Sequence, residues 1–173
     1  MSRYASATTA ARLTAVTALL GVVVVVLSQF APGYALDDEF GARIETVTLL
    51  SKHGAFTLVF ALIALAGLVL TLVTGSRPAA ITVFGMGLAV ILVFLLIDLP
   101  DLGETGMFTA PGAGNIDAYG SSEAGLWMEL VGGIVLVLAG AALATFDSLE
   151  LRAVLPGRNG RTAKARSLTS ERE

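Results

Sequence analysis

The sequence predicts an all-α integral membrane protein: a four-helix transmembrane bundle with both termini in the cytoplasm and an extracytoplasmic loop cap. Three observations predict it. First, Gly54–Val73 and Ala79–Ile97 are uncharged apolar runs separated only by Thr74-Gly75-Ser76-Arg77-Pro78. About 20 apolar residues at a rise of 1.5 Å cover roughly 30 Å, the hydrocarbon thickness of a bilayer, so the pair reads as a helical hairpin. Second, Leu13–Phe30 and Leu126–Phe146 are runs of the same kind. Third, the cations fall on one alternate set of connecting segments.

Composition agrees. Hydrophobic residues make up 55% of the chain and charged residues 14%, well under the roughly 25% charged content of soluble domains. A length of 173 residues suits one domain. The chain has no cysteine, which excludes disulfides and thiolate metal sites, and His53 is its one imidazole.

Residues 1–12 are polar and carry Arg3 and Arg12. The first span, about 13–30, contains the run Val22 to Val26. β-Branched residues are modest helix formers in water, but in lipid every backbone group must be paired within its segment, so helix wins. Gly33-Tyr34-Ala35 offers a small-x-small cleavage pattern, so the run also reads as a signal peptide. It is longer than the usual apolar core of such a peptide. The expectation is therefore an uncleaved helix, with Tyr34 as an interface anchor.

Over Asp37–His53, residues Phe40, Ile44, Val47 and Leu50 fall at helical spacing, and Glu39 stands four before Arg43. This predicts a short amphipathic helix acting as a stalk for the second span, about 54–73. The third span, about 79–97, ends near Asp98 because Pro100 disfavours helix at the residue before it. Gly103–Gly125 then reads as a loop longer than most connections, with Phe108, Ile116 and Tyr119 as apolar surface for packing. Ser121-Ser122-Glu123 offers a helix cap, and Trp127 marks an interface at the start of the fourth span, about 126–146. Residues 1–150 thus form the transmembrane domain, and 151–173 a flexible basic cytoplasmic tail.

Orientation follows from the cations. Arg3, Arg12, Arg77, Arg152, Arg158, Arg161, Lys164, Arg166 and Arg172 lie on the termini and the hairpin turn, against Arg43 and Lys52 on the other two segments. By the positive-inside rule both termini are cytoplasmic, in a bacterial plasma membrane. The tail's cations also suit anionic lipid headgroups, beyond their role in setting topology.

Small residues recur four apart in each span: Thr17 with Gly21, Gly67 with Thr71, Gly85 with Ala89, Gly140 with Ala144. Such pairs let helices approach closely, either within one bundle or against a second copy or another membrane protein. Gly21, Gly67, Gly85 and Gly140 are the expected packing glycines. Lys52, His53, Asp98 and Glu129 form a candidate polar cluster at the outer membrane edge. An ion pair that fixes helix register is the plain reading of that cluster; a proton relay or small-cation site is the functional one. No span carries a charge at its middle, which argues against a pump or an ion channel.

Asp98, Asp101 and Glu104, spaced three apart, with Asn115 and Asp117 beyond, are of the ligand type that suits Ca²⁺, but the spacing matches no calcium loop. No metal or cofactor is expected. Ser51, His53 and an outer Asp could compose a triad, but nothing resembles a nucleophile elbow. The sequence has no phosphate-cradling loop and no nucleic-acid motif.

Ile97-Asp98-Leu99-Pro100-Asp101, the loop acids and Gly125-Leu126-Trp127-Met128-Glu129-Leu130 resemble small four-span membrane proteins of high-GC actinobacteria. The layout is also similar to that of the membrane proteins encoded beside tryptophan-biosynthesis genes in such bacteria. The resemblance implies the four-span topology and no catalytic residue. The expected function is a non-enzymatic accessory or scaffold protein of the plasma membrane, acting through helix faces and an acidic outer cap. The alternative is a small transporter or permease component using His53, Asp98 and Glu129.

Overall fold

A computed structural model describes residues 2–38, 40–41, 43–102, 105–110 and 114–155. In chain order the elements are α1 (Ser2–Phe30), β1 (Pro32–Asp38), β2 (Arg43–Thr48), α2 (Leu49–His53), α3 (Phe56–Thr74), α4 (Arg77–Val93) with a π-helical turn over Phe94–Asp98, β3 (Thr105–Ala110), β4 (Gly114–Ser122), α5 (Ala124–Thr145) and α6 (Ser148–Arg152). Ala7–Phe30, Phe56–Thr74, Arg77–Asp98 and Ala124–Thr145 are long and apolar enough to cross a membrane. Their outward faces carry Leu13, Leu20, Leu62, Leu96 and Leu138, all exposed. This is the surface of a multi-pass membrane protein, whose outer side chains meet lipid.

Each long helix packs on its neighbour in the chain, and α5 closes the ring onto α1. The core runs along the bundle axis through Ala18, Val25, Ala64, Val83, Val90, Leu136 and Leu143. Small residues set the spacing. A Cβ at Gly132 would stand 2.6 Å from Val25 Cγ2 of α1. One at Gly87 would stand 2.7 Å from both Leu136 Cβ and Val137 N of α5. Gly21 and Gly67 also sit at tight helix contacts, and Gly140 lies against the backbone of Phe84. Gly85 does not: a Cβ there meets open space. The close approach on α4 is made by Gly87, two residues on and so on another face.

The sheet corrects the all-α expectation. The strands form one antiparallel sheet in the order β2-β1-β4-β3. Asp37–His53 is therefore largely β-hairpin, and helix is confined to Leu49–His53. Ile44, Thr46, Val47 and Thr48 are β-branched and suit a pleated surface. Asp38 makes the turn by accepting from Phe40 N at 2.9 Å, and Gly41 supplies the positive φ of +79°. Glu39 lies outside the described residues. Among the described residues its expected partner Arg43 binds Asp37 at 3.4 Å and Glu123 at 2.5 Å.

The expected loop 103–125 is mostly the β3–β4 hairpin, with Phe108 opposite Ile116 in register; their side chains fall outside the described set. β4 pairs with β1 from Tyr34↔Ser122 to Asp38↔Ala118. Ser121 and Ser122 are thus strand residues, and α5 starts after Glu123 without a side-chain cap.

At the opposite end, Gly75 closes α3 in the left-handed region and donates to Thr71 O at 2.8 Å. Arg152 donates twice to Thr74 O, at 2.8 and 2.6 Å. Leu151 is buried in the bundle core. The expected tail boundary at 151 therefore shifts outward, because α6 is tied to the end of α3; residues 156–173 lie outside the described set.

Candidate functional site: a buried polar layer under the sheet

The sheet sits on one end of the bundle, and of the buried polar side chains among the described residues all but Thr71 lie toward that junction. Asp98 arrives there through the π-helical turn, in which Leu99 N donates to Phe94 O at 2.7 Å. Such turns often occur at functional sites. Here the turn leaves Ile97 41% exposed and Asp98 fully buried.

Tyr34 of β1 shares its hydroxyl proton between Asp98 Oδ1 at 2.7 Å and Asp98 O at 2.9 Å. Tyr34 is 6% exposed, so it is an internal tie between sheet and bundle and not the expected interface anchor. Burial, then the Asp98 hydrogen bond, then the nearby carboxylates push its phenol pKa upward. A raised phenol pKa contributes stability that is complete below the ordinary tyrosine range and is lost as pH rises through the higher folded value. Trp127 is half-exposed, donates to Ser122 Oγ at 3.3 Å and packs 6.0 Å from the Phe94 ring.

Lys52 of α2 reaches the same point. Its Nζ lies 2.5 Å from Asp101 Oδ2, 3.6 Å from Asp98 Oδ1 and 3.7 Å above the Tyr34 ring. One ammonium thus serves two carboxylates and an aromatic face. The acids at 98 and 101, considered above as Ca²⁺ ligands, already share this internal cation, while Glu104 lies outside the described residues. Among the described residues no three His or acidic side chains gather as metal ligands. The His53 side chain is outside the described set. Ser51 donates to Thr48 O at 2.8 Å, within the turn that starts α2.

Glu129 of α5 is fully buried, and among the described residues neither of its oxygens has a hydrogen-bond partner. Asp98 and Lys52 lie within electrostatic range, and the Thr57 hydroxyl is adjacent but outside hydrogen-bond geometry. The structure therefore brings Lys52, Asp98 and Glu129 to one level, with the first two in contact. Gln29 and Thr57 belong to the layer and escape a reading of the sequence, which marks Tyr34 and Asp101 but not their contacts here. Gln29 and Thr57 are neutral residues near helix ends, and nothing in local spacing marks them as inward-facing.

A second polar group fixes the sheet from its other side. Asp37 accepts from Ser121 Oγ at 2.6 Å and pairs with Arg43, which also holds Glu123. The Ser121 hydrogen bond, helped by Arg43, lowers the Asp37 pKa. That contribution is complete above the ordinary aspartate range and is lost as pH falls through the depressed folded value.

The arrangement ties sheet to helices and leaves two carboxylates, Asp98 and Glu129, buried at the end of the bundle. No family model, curated protein or solved structure matches the chain, so this geometry carries the functional reading.

Proposed function

We propose that the chain is a non-enzymatic accessory protein of the bacterial plasma membrane, whose work is to display its sheet on a fixed membrane platform. The observation that carries this reading is the pair of side-chain ties at the sheet–bundle junction: Tyr34 and Lys52 to Asp98 and Asp101, and Arg43 to Glu123. They hold the sheet's orientation against the helices, which suits presentation to a partner. The sheet end is acidic, with Asp37, Asp38, Glu45, Asp117 and Glu123 around Arg43. β2 is an edge strand with Glu45 and Thr46 exposed. A photo-crosslinking residue at Thr46, in growing cells, is expected to give discrete adducts with another membrane or envelope protein. Absence of adducts from Thr46 and from other exposed cap positions would remove the scaffold reading.

In this reading both termini are cytoplasmic and the sheet is extracytoplasmic, as the positive-inside rule orders them. Thr46→Cys is then expected to react with an impermeant thiol reagent in intact cells, and Ser76→Cys only after permeabilisation. The opposite pattern would invert the topology. The basic tail contributes to the same orientation and to contact with anionic headgroups.

A second reading, a small cation-coupled permease component, is favoured by one observation: the buried, unpartnered Glu129 within a span. Intramembrane carboxylates of this kind commonly face ion pathways.

A further inference from the structure

The register of α1 against α5 can be read from their glycine contacts. Gly132 meets Val25, and one end nearer the sheet Gly125 meets the carbonyls of Ala31 and Pro32. Gln29 is one helical turn past Val25 and Glu129 one turn before Gly132, so both lie on the shared face at the same depth. Both are fully buried. The Thr57 hydroxyl, at the start of α3, is adjacent to Glu129. At this level four oxygens have no hydrogen-bond partner among the described residues: Gln29 Oε1, Thr57 Oγ1 and both oxygens of Glu129. The Gln29 amide nitrogen is turned away, donating to Ser28 Oγ at 3.1 Å.

Charge decides what such a site accepts. Lys52 is committed to Asp98 and Asp101, 3.6 and 2.5 Å away. Among the described residues Glu129 has no cation in contact, and a bare buried carboxylate is strongly disfavoured. Carboxylate, amide carbonyl and hydroxyl oxygens are hard donors that suit hard cations. One uncompensated negative charge favours a single positive one.

We infer that Glu129, Gln29 and Thr57 form a binding site for one hard monovalent cation, tested below as Na⁺, between α1, α3 and α5. The site serves either functional reading, since a bound cation can lock a scaffold's core or be carried by a transporter.

The test uses the full chain in lipid nanodiscs, with sodium chloride replaced by choline chloride at constant ionic strength and pH. Saturating Na⁺ is expected to raise the Tm by roughly 5 °C or more, and Glu129→Gln and Gln29→Leu to abolish the increment. Should either variant fail to fold, carbodiimide labelling of Glu129 in the unaltered protein decides. Na⁺ is expected to slow the labelling several-fold and choline to leave it unchanged. A Tm and a labelling rate that follow pH alone, indifferent to Na⁺, would mean that a proton or water satisfies these oxygens, and would overturn the site.

Discussion

Asp98→Ala is expected to destabilise the folded protein by about 2–3 kcal/mol, measured by denaturant unfolding in nanodiscs. Asp98 is fully buried, accepts the Tyr34 hydroxyl and faces Lys52. Removing a buried partner outright costs more than a surface pair is worth, because the remaining groups lose their compensation. The estimate stays below the top of that range because Lys52 keeps Asp101 and is itself 22% exposed. The damage should be local as well as global. β1 and α2 lose their tie to the end of α4, so their amides are expected to exchange faster than those of α5. A variant with unchanged stability and unchanged exchange in β1 would show that the sheet holds its place without this contact.

Gly87→Val is expected to have the larger effect, a loss of about 3 kcal/mol or more, or failure of the bundle to assemble. The added atoms meet Leu136 Cβ, Val137 N and Gly133 O, at 2.7, 2.7 and 2.9 Å from the first carbon. Two of these are backbone atoms and cannot rotate away. Gly85→Val is the matched control on the same helix, since nothing lies within 4 Å of a Cβ there, and it is expected to be tolerated. Equal losses at 85 and 87 would contradict the packing of α4 on α5.

The spans were legible because their signal is local: lipid demands long apolar runs with internally paired backbones, and the runs are visible by length alone. The sheet was not. β1 finds its second partner in β4, with Tyr34 opposite Ser122, and a pairing across nearly ninety residues leaves no periodic mark. Phe40, Ile44, Val47 and Leu50 happen to fit a helical period, although Ile44 and Val47 take strand positions. The glycine stripe was legible only in part. A spacing of four finds one face of a helix, while α5 is clasped on two sides and uses the adjacent Gly132 and Gly133 toward α1 and α4 respectively.

The polar cluster was legible as a depth and not as a set of contacts. Lys52, Asp98 and Glu129 could be placed at one level by counting helical rise. That Tyr34 turns inward onto Asp98, and that Gln29 and Thr57 are buried at the level of Glu129, depends on helix rotation, which the sequence does not express.

The buried layer under the sheet couples sheet to bundle through Lys52 and Asp98. A double-mutant cycle with Lys52→Met and Asp98→Ala, read as unfolding free energy in nanodiscs, measures that coupling. A coupling of about 1 kcal/mol or more is the predicted result, with the double variant losing less than the sum of the two singles. Losses that simply add would contradict the account, since two residues that act on each other cannot fail independently.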